Sequence, residues 1–185
     1  MQRNINTSHG VKWGLIIGFI YCVLLLLRYN FGASNPIMFS LWIFLGYIIT
    51  LVLLLISGFL LRKQNNGFID LKEAFRVLFI SVLIFEFFYA VFNFVYLKYV
   101  NPNFYQSFRD ATEAYLIKSN QPQEQIDKMT KAIDVDAPKK MNLFDMLKSY
   151  LFFVAISGAI AFLFALIIRK KNPFGTEQDQ FLQAQ

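Results

Sequence analysis

Four long stretches of apolar residues decide what this chain can fold into. They cover 13–27, 37–61, 77–97 and 149–168, and Glu86 is the only charge in any of them. An apolar run of about 20 residues matches the hydrocarbon thickness of a bilayer, and a bilayer leaves backbone only two ways to satisfy its hydrogen bonds, the helix and the closed barrel. Runs of this length without period-two alternation predict helices. The expected fold is all-α, an integral membrane bundle of four transmembrane helices spanning about 11–28, 37–61, 76–99 and 147–168. Residues 1–171 then form a single transmembrane domain.

The first run is short for a span, about 22 Å as a helix. Lys12 and Arg28 complete it if their cationic heads snorkel to the interface. Phe31 stands where a signal-peptide cleavage site requires a small residue, so the run reads as an uncleaved span. Pro36 suits the first turn of the second helix. Asn65-Asn66-Gly67 marks a turn. Asp70 and Glu73 are spaced as an N-cap and capping box for the third helix.

Residues 101–142 form the one sizeable polar segment. Phe104, Phe108, Ala111 and Tyr115 share a helical face, and Ile126, Met129 and Ile133 repeat the pattern after Pro122. They predict short amphipathic helices over about 103–118 and 122–133, lying on the membrane surface or capping the bundle. Residues 172–185 read as a disordered tail.

The net charge of +6 belongs to this topology and not to nucleic acid, because the cations flank the apolar runs. Arg3, Lys12, Arg62, Lys63, Lys72, Arg76 and the Arg169-Lys170-Lys171 cluster fall on one side, and the first hairpin on the other side offers only Arg28. By the positive-inside bias the termini and the 64–73 turn are expected in the cytoplasm, 101–142 outside, and the protein in a bacterial inner membrane.

The stretch Gly67-Phe68-Ile69-Asp70-Leu71-Lys72-Glu73-Ala74-Phe75-Arg76 between two apolar hairpins, the exit Asn101-Pro102-Asn103-Phe104, and the closing Arg169-Lys170-Lys171 together resemble a bacterial four-helix membrane family called domain of unknown function 4199. The resemblance runs from about Lys12 to Lys171. It implies the same four-helix fold and no mechanism. It also implies an association with polyprenyl-phosphate glycosyl-transfer systems, to which this chain would be an accessory.

Glu86 is the residue that the membrane setting singles out. A carboxylate at mid-span costs about 2.5–3.5 kcal/mol on insertion scales, so a neutral acid is expected there. Tyr89 and Asn93 continue its face, giving a polar intramembrane strip for a ligand, a proton or a neighbouring helix. Tyr21, Tyr47, Thr50 and Ser157 are the candidate partners, and a hydrogen bond between helices is the expected role. Gly10, Gly14 and Gly18 repeat at four on the first helix, and Ser157, Ala161 and Ala165 on the fourth. Such small faces let helices approach closely.

Nothing in the sequence signals catalysis. HExxH, GxxxxGK[ST] and GxSxG are missing, and intramembrane aspartyl chemistry needs a second carboxylate. No cofactor and no metal site is expected. Cys22 reads as inert packing and His9 as an exposed histidine of the N-terminal tail. The expected function is non-enzymatic, a partner-binding or accessory subunit whose partners are the bilayer and a membrane protein or a second copy. A small transporter or transporter subunit centred on Glu86 is the alternative.

Overall fold

A computed structural model describes residues 2–171. The tail expected at 172–185 lies outside the described residues. The chain folds into α1 (Gln2–Gly32), α2 (Pro36–Gln64), α3 (Leu71–Val95), α4 (Phe104–Lys118), α5 (Gln123–Lys131), α6 (Ala137–Lys140) and α7 (Leu143–Ile168). A π-helical turn, Tyr96–Val100, prolongs α3. The stretches Asn6–Gly32, Pro36–Gln64, Leu71–Val100 and Leu143–Ile168 are long and apolar enough to cross a membrane. This is an all-α membrane bundle of four long helices, with short helices between the third and the fourth.

Local chemistry sets the ends of these helices. The Asn35 side chain accepts from the backbone N–H of Ile37 at 3.0 Å and of Met38 at 3.2 Å, and Pro36 occupies the first turn of α2. At the far end, Asn66 and Gly67 take positive φ values of 55° and 85°, which lets the Gly67 N–H reach the Arg62 carbonyl. Asp70 precedes α3 as read from the sequence, but its side chain makes no capping bond. The reciprocal half of the box is missing as well, because the Glu73 carboxylate is engaged by Arg76 at 2.7 Å and Asn6 at 3.0 Å. The capping box sits instead on α7, where Asn142 accepts from Phe144 and Asp145 while Asp145 accepts from the Asn142 N–H.

Helix α3 is the hub. It packs along α1 on one side and α7 on the other, while α2 lies mainly along α1. The end of the bundle holding the start of α1, the α2–α3 turn and the end of α7 is called basal here, and the opposite end apical. A basal two-way backbone bridge joins Ile69 to Lys170. Below mid-height the core is aliphatic, with Leu54, Val77, Leu78, Val82, Ala161, Ala165 and Ile168 buried. At the apical end it turns aromatic. Phe104 of α4 inserts beside Leu25, Tyr29 and Tyr96, with Phe39 and Phe108 packed against them. The π turn helps here, because it turns Tyr96 and Leu97 inward while Tyr99 and Val100 remain exposed. Phe19, Phe44, Phe152 and Ile167 point outward from the long helices, as expected of a surface whose solvent is lipid.

Candidate functional site

The interior of a membrane bundle is the place to look for function, because a polar side chain there is expensive and must be matched. Glu86 sits on the α3 face that meets α7 and is 2% exposed. Ser157 of α7 donates its hydroxyl to Glu86 Oε1 at 2.5 Å. Of the other candidate partners, Thr50 donates to the Gly46 carbonyl of its own helix at 2.9 Å. Tyr21 instead stacks flat on Tyr89, with ring centroids 5.2 Å apart.

One to two turns above Glu86, the strip changes its task. Asn93 donates to the Tyr89 carbonyl at 2.8 Å and accepts a hydrogen bond from the Tyr29 hydroxyl of α1. Tyr29 stacks on Tyr96 at 4.6 Å and meets the edge of Phe104 at 4.9 Å. The strip addresses two helices: Glu86 reaches α7, Asn93 reaches α1, and Tyr89 lies between Tyr21 of α1 and the edge of Phe153 of α7 at 5.0 Å.

Arg28 departs from its expected place. Helix α1 continues to Gly32, so Arg28 lies within the helical span and does not end it. Its guanidinium stands 4.3 Å from the centre of the Phe39 ring and 5.4 Å from that of Tyr29, and Nε is buried without a hydrogen-bond partner. Together with Tyr21, Trp42, Gly46, Tyr47, Tyr89 and Phe153 it lines a cavity of about 260 Å³. The cavity lies between α1, α2, α3 and α7, under the apical aromatic cluster. Tyr21, Leu25, Arg28 and Tyr29 are spaced four, three and one apart on one side of α1, but the Phe39 ring that Arg28 meets belongs to the next helix.

The small-residue faces both meet α3. Gly10, Gly14 and Gly18 lie against Val77, Ile80, Ile84 and Phe88, and Ser81 donates to the Gly10 carbonyl at 2.8 Å. A methyl group added at Gly14 would stand 2.8 Å from the Ile84 Cβ, so these backbones touch only because the residue is glycine. On α7, Ser157, Ala161 and Ala165 are all buried.

His9 is not an exposed tail residue. It is 6% exposed within α1, its Nε2 lying 3.0 Å from the Ser57 carbonyl oxygen and 3.3 Å from the Ser57 hydroxyl. Asn6, one turn before it, bonds to Asn65 and Glu73. The Asn6 bonds fasten α1 to the α2–α3 turn and the start of α3, the His9 contacts fasten it to α2, and no local sequence pattern announces them because the partners are distant. Cys22 is half buried in an apolar groove lined by Leu26, Phe87, Val91 and Phe92. Among the described residues no three His, Cys, Asp or Glu side chains converge as metal ligands.

Compared with known families, the chain matches over residues 12–170 the model of a family described as protein of unknown function (DUF4199). No curated protein and no solved structure matches it.

Proposed function

The chain belongs to this DUF4199 family, whose description assigns no activity, and we propose that it is a non-enzymatic membrane protein that acts by binding, as an accessory subunit to a membrane partner. The supporting observation is that its buried polar side chains are committed to bonds between and within its own helices. Arg28, Tyr29, Asn93, Tyr89, Tyr21 and Glu86 descend from the apical end to mid-height. Below Glu86, Leu54, Leu78, Val82, Ala161 and Ala165 form an apolar core, and the buried polar groups of that half are engaged between helices, Ser81 with the Gly10 carbonyl and His9 with Ser57. A carrier centred on Glu86 needs polar continuity to each face in turn, and secondary transporters place their sites at broken helices. Here α3 runs unbroken through Glu86, and its carboxyl group is held by a serine from the next helix.

The place of action we infer is a bacterial inner membrane, with the basal end in the cytoplasm. The cationic Arg62, Lys63, Lys72, Arg76, Arg169, Lys170 and Lys171 gather at that end. The carrier reading keeps one argument, the buried carboxyl group, and the two readings separate cleanly. In proteoliposomes loaded with a pH-sensitive dye, an imposed potassium diffusion potential should produce no proton flux above that of empty vesicles. Flux that disappears in Glu86→Gln would replace the accessory reading with the carrier one. In mild detergent, cross-linked native membranes should yield the chain in an assembly larger than its own monomer. A monomer alone counts against the accessory role.

A further inference from the structure

The structure holds a half-buried guanidinium, that of Arg28, whose Nε is enclosed without a hydrogen-bond partner and which the Glu86–Ser157 pair leaves unexplained. Among the described residues no carboxylate pairs with it. Its flat faces are satisfied by Phe39 and Tyr29, and the Tyr89 phenol lies beside it. Such contacts suit the faces of a guanidinium but supply no counter-charge. A half-buried guanidinium with an unpaired N–H gains from an anion, and this one borders a cavity of about 260 Å³.

The shape of the surroundings says from which side an anion comes. Above, Phe104, Phe108 and Phe39 close the cavity toward the apical water, with ring centroids 4.7–5.9 Å apart. Below, the aliphatic core closes it. At the basal end α2 touches α7, where Arg62 donates to the Ile168 carbonyl at 3.4 Å. Higher up, the cavity itself occupies the space between Gly46 and Tyr47 of α2 and Phe153 of α7. Ile43, beside Trp42 in the cavity wall, is 40% exposed to the bundle's outer surface.

We propose that this cavity is a binding site for the anionic headgroup of a membrane lipid, admitted sideways between α2 and α7, with its phosphate oxyanion on the Arg28 guanidinium and its apolar part along Trp42, Ile43 and Phe153. The planar fork of arginine matches a phosphate through paired N–H donors. Tyr47 and Tyr21 add hydroxyl donors to the same space. Gly46 keeps that space open: a Cβ there would meet Tyr21 only at 3.6 Å, so the backbone tolerates a side chain, but a larger one projects into the cavity. The site stands independently of the accessory reading, because a carrier would hold the same lipid.

The test is lipid retention by native mass spectrometry. Protein in a neutral detergent is mixed with equal amounts of phosphatidylglycerol and phosphatidylcholine of matched acyl chains. The expected result is preferential retention of phosphatidylglycerol, reduced about tenfold or more in Arg28→Gln, the scale of a lost charge-assisted hydrogen bond. Gly46→Leu, which fills the cavity and leaves Arg28 in place, should show the same loss. Equal retention of the two lipids by the unmodified protein overturns the proposal. So does full retention by a monodisperse Gly46→Leu protein, which decides the matter even if Arg28→Gln fails to fold. Displacement of the lipid by millimolar inorganic phosphate would reassign the site to a soluble anion and overturn the lipid source.

Discussion

Glu86 and Ser157 carry the most specific contact between α3 and α7, and two substitutions define its worth. Glu86→Gln keeps an oxygen to accept the Ser157 hydroxyl, so reversible unfolding in mixed detergent should find it close to the unmodified protein. Glu86→Leu removes the acceptor and should cost about 1–2 kcal/mol, the scale of interhelical hydrogen bonds in model peptides. Equal stability of the leucine variant would show that the bond contributes nothing. A folded Glu86→Gln protein with the phenotype of a deletion would show instead that the carboxyl group works chemically. At this scale the sequence was half legible. A lone carboxyl in an apolar run is conspicuous, and Ser157 was among its foreseen partners. His9 and Arg28 were read as surface residues because each lies near the end of its apolar run, where a polar side chain costs little. What draws them inward is the Ser57 carbonyl, 48 residues away, and the Phe39 ring of the next helix, and no window of local sequence contains both sides of either contact.

Between elements, close approach of backbones is what joins α1 to α3. Gly14→Leu should therefore lower stability by more than about 2 kcal/mol, since the added bulk falls on the Ile84 side chain and the α3 backbone. Gly46→Ala, whose new methyl group meets only ordinary contacts, should stay within about 0.5 kcal/mol, as substitutions away from strained or packed features usually do. If both behave alike, the contact of α1 with α3 is looser than described. Helix ends offer a second comparison. Asn142→Ala removes a working cap and should cost about 1 kcal/mol, whereas Asp70→Ala removes a side chain that caps nothing and should cost clearly less. The same unfolding measurement ranks the two. Both sites carry the Asx-x-x-acid spacing, so spacing alone did not tell them apart. They differ in that the Asn142 side chain accepts two backbone N–H groups and that of Asp70 none, while Glu73, unlike Asp145, is turned to Asn6 and Arg76. The π turn at Tyr96–Val100 was equally silent in sequence, because an extra residue in a helix leaves no mark on hydropathy.

For the molecule as a whole, hydropathy reports the surface that faces lipid, and that surface dominates four slender helices. The number of long apolar helices and the turn at Asn66-Gly67 were therefore legible, while the helices run several residues past the apolar stretches, as α1 does beyond Arg28. The order of the helices around α3 was not, because it depends on which faces are small and on where the aromatic cap sits. The orientation inferred from the cations makes a direct prediction. In a Cys22→Ser background, Ser119→Cys at the apical end should react with a membrane-impermeant maleimide in cells with a permeabilised outer membrane, and Lys63→Cys at the basal end should not. The reverse pattern would invert the protein. The central position of α3 also bears on how such a chain is made. An insertion machinery that releases helices in order delivers Glu86 to the bilayer well before Ser157, which follows 71 residues later. Until α7 arrives, the carboxyl group has only the phenols of α1 and α2, or water drawn in beside them, for company. Biogenesis of this bundle thus contains a stage at which its costliest side chain is inserted without its final donor, and the arrival of α7 ends that stage.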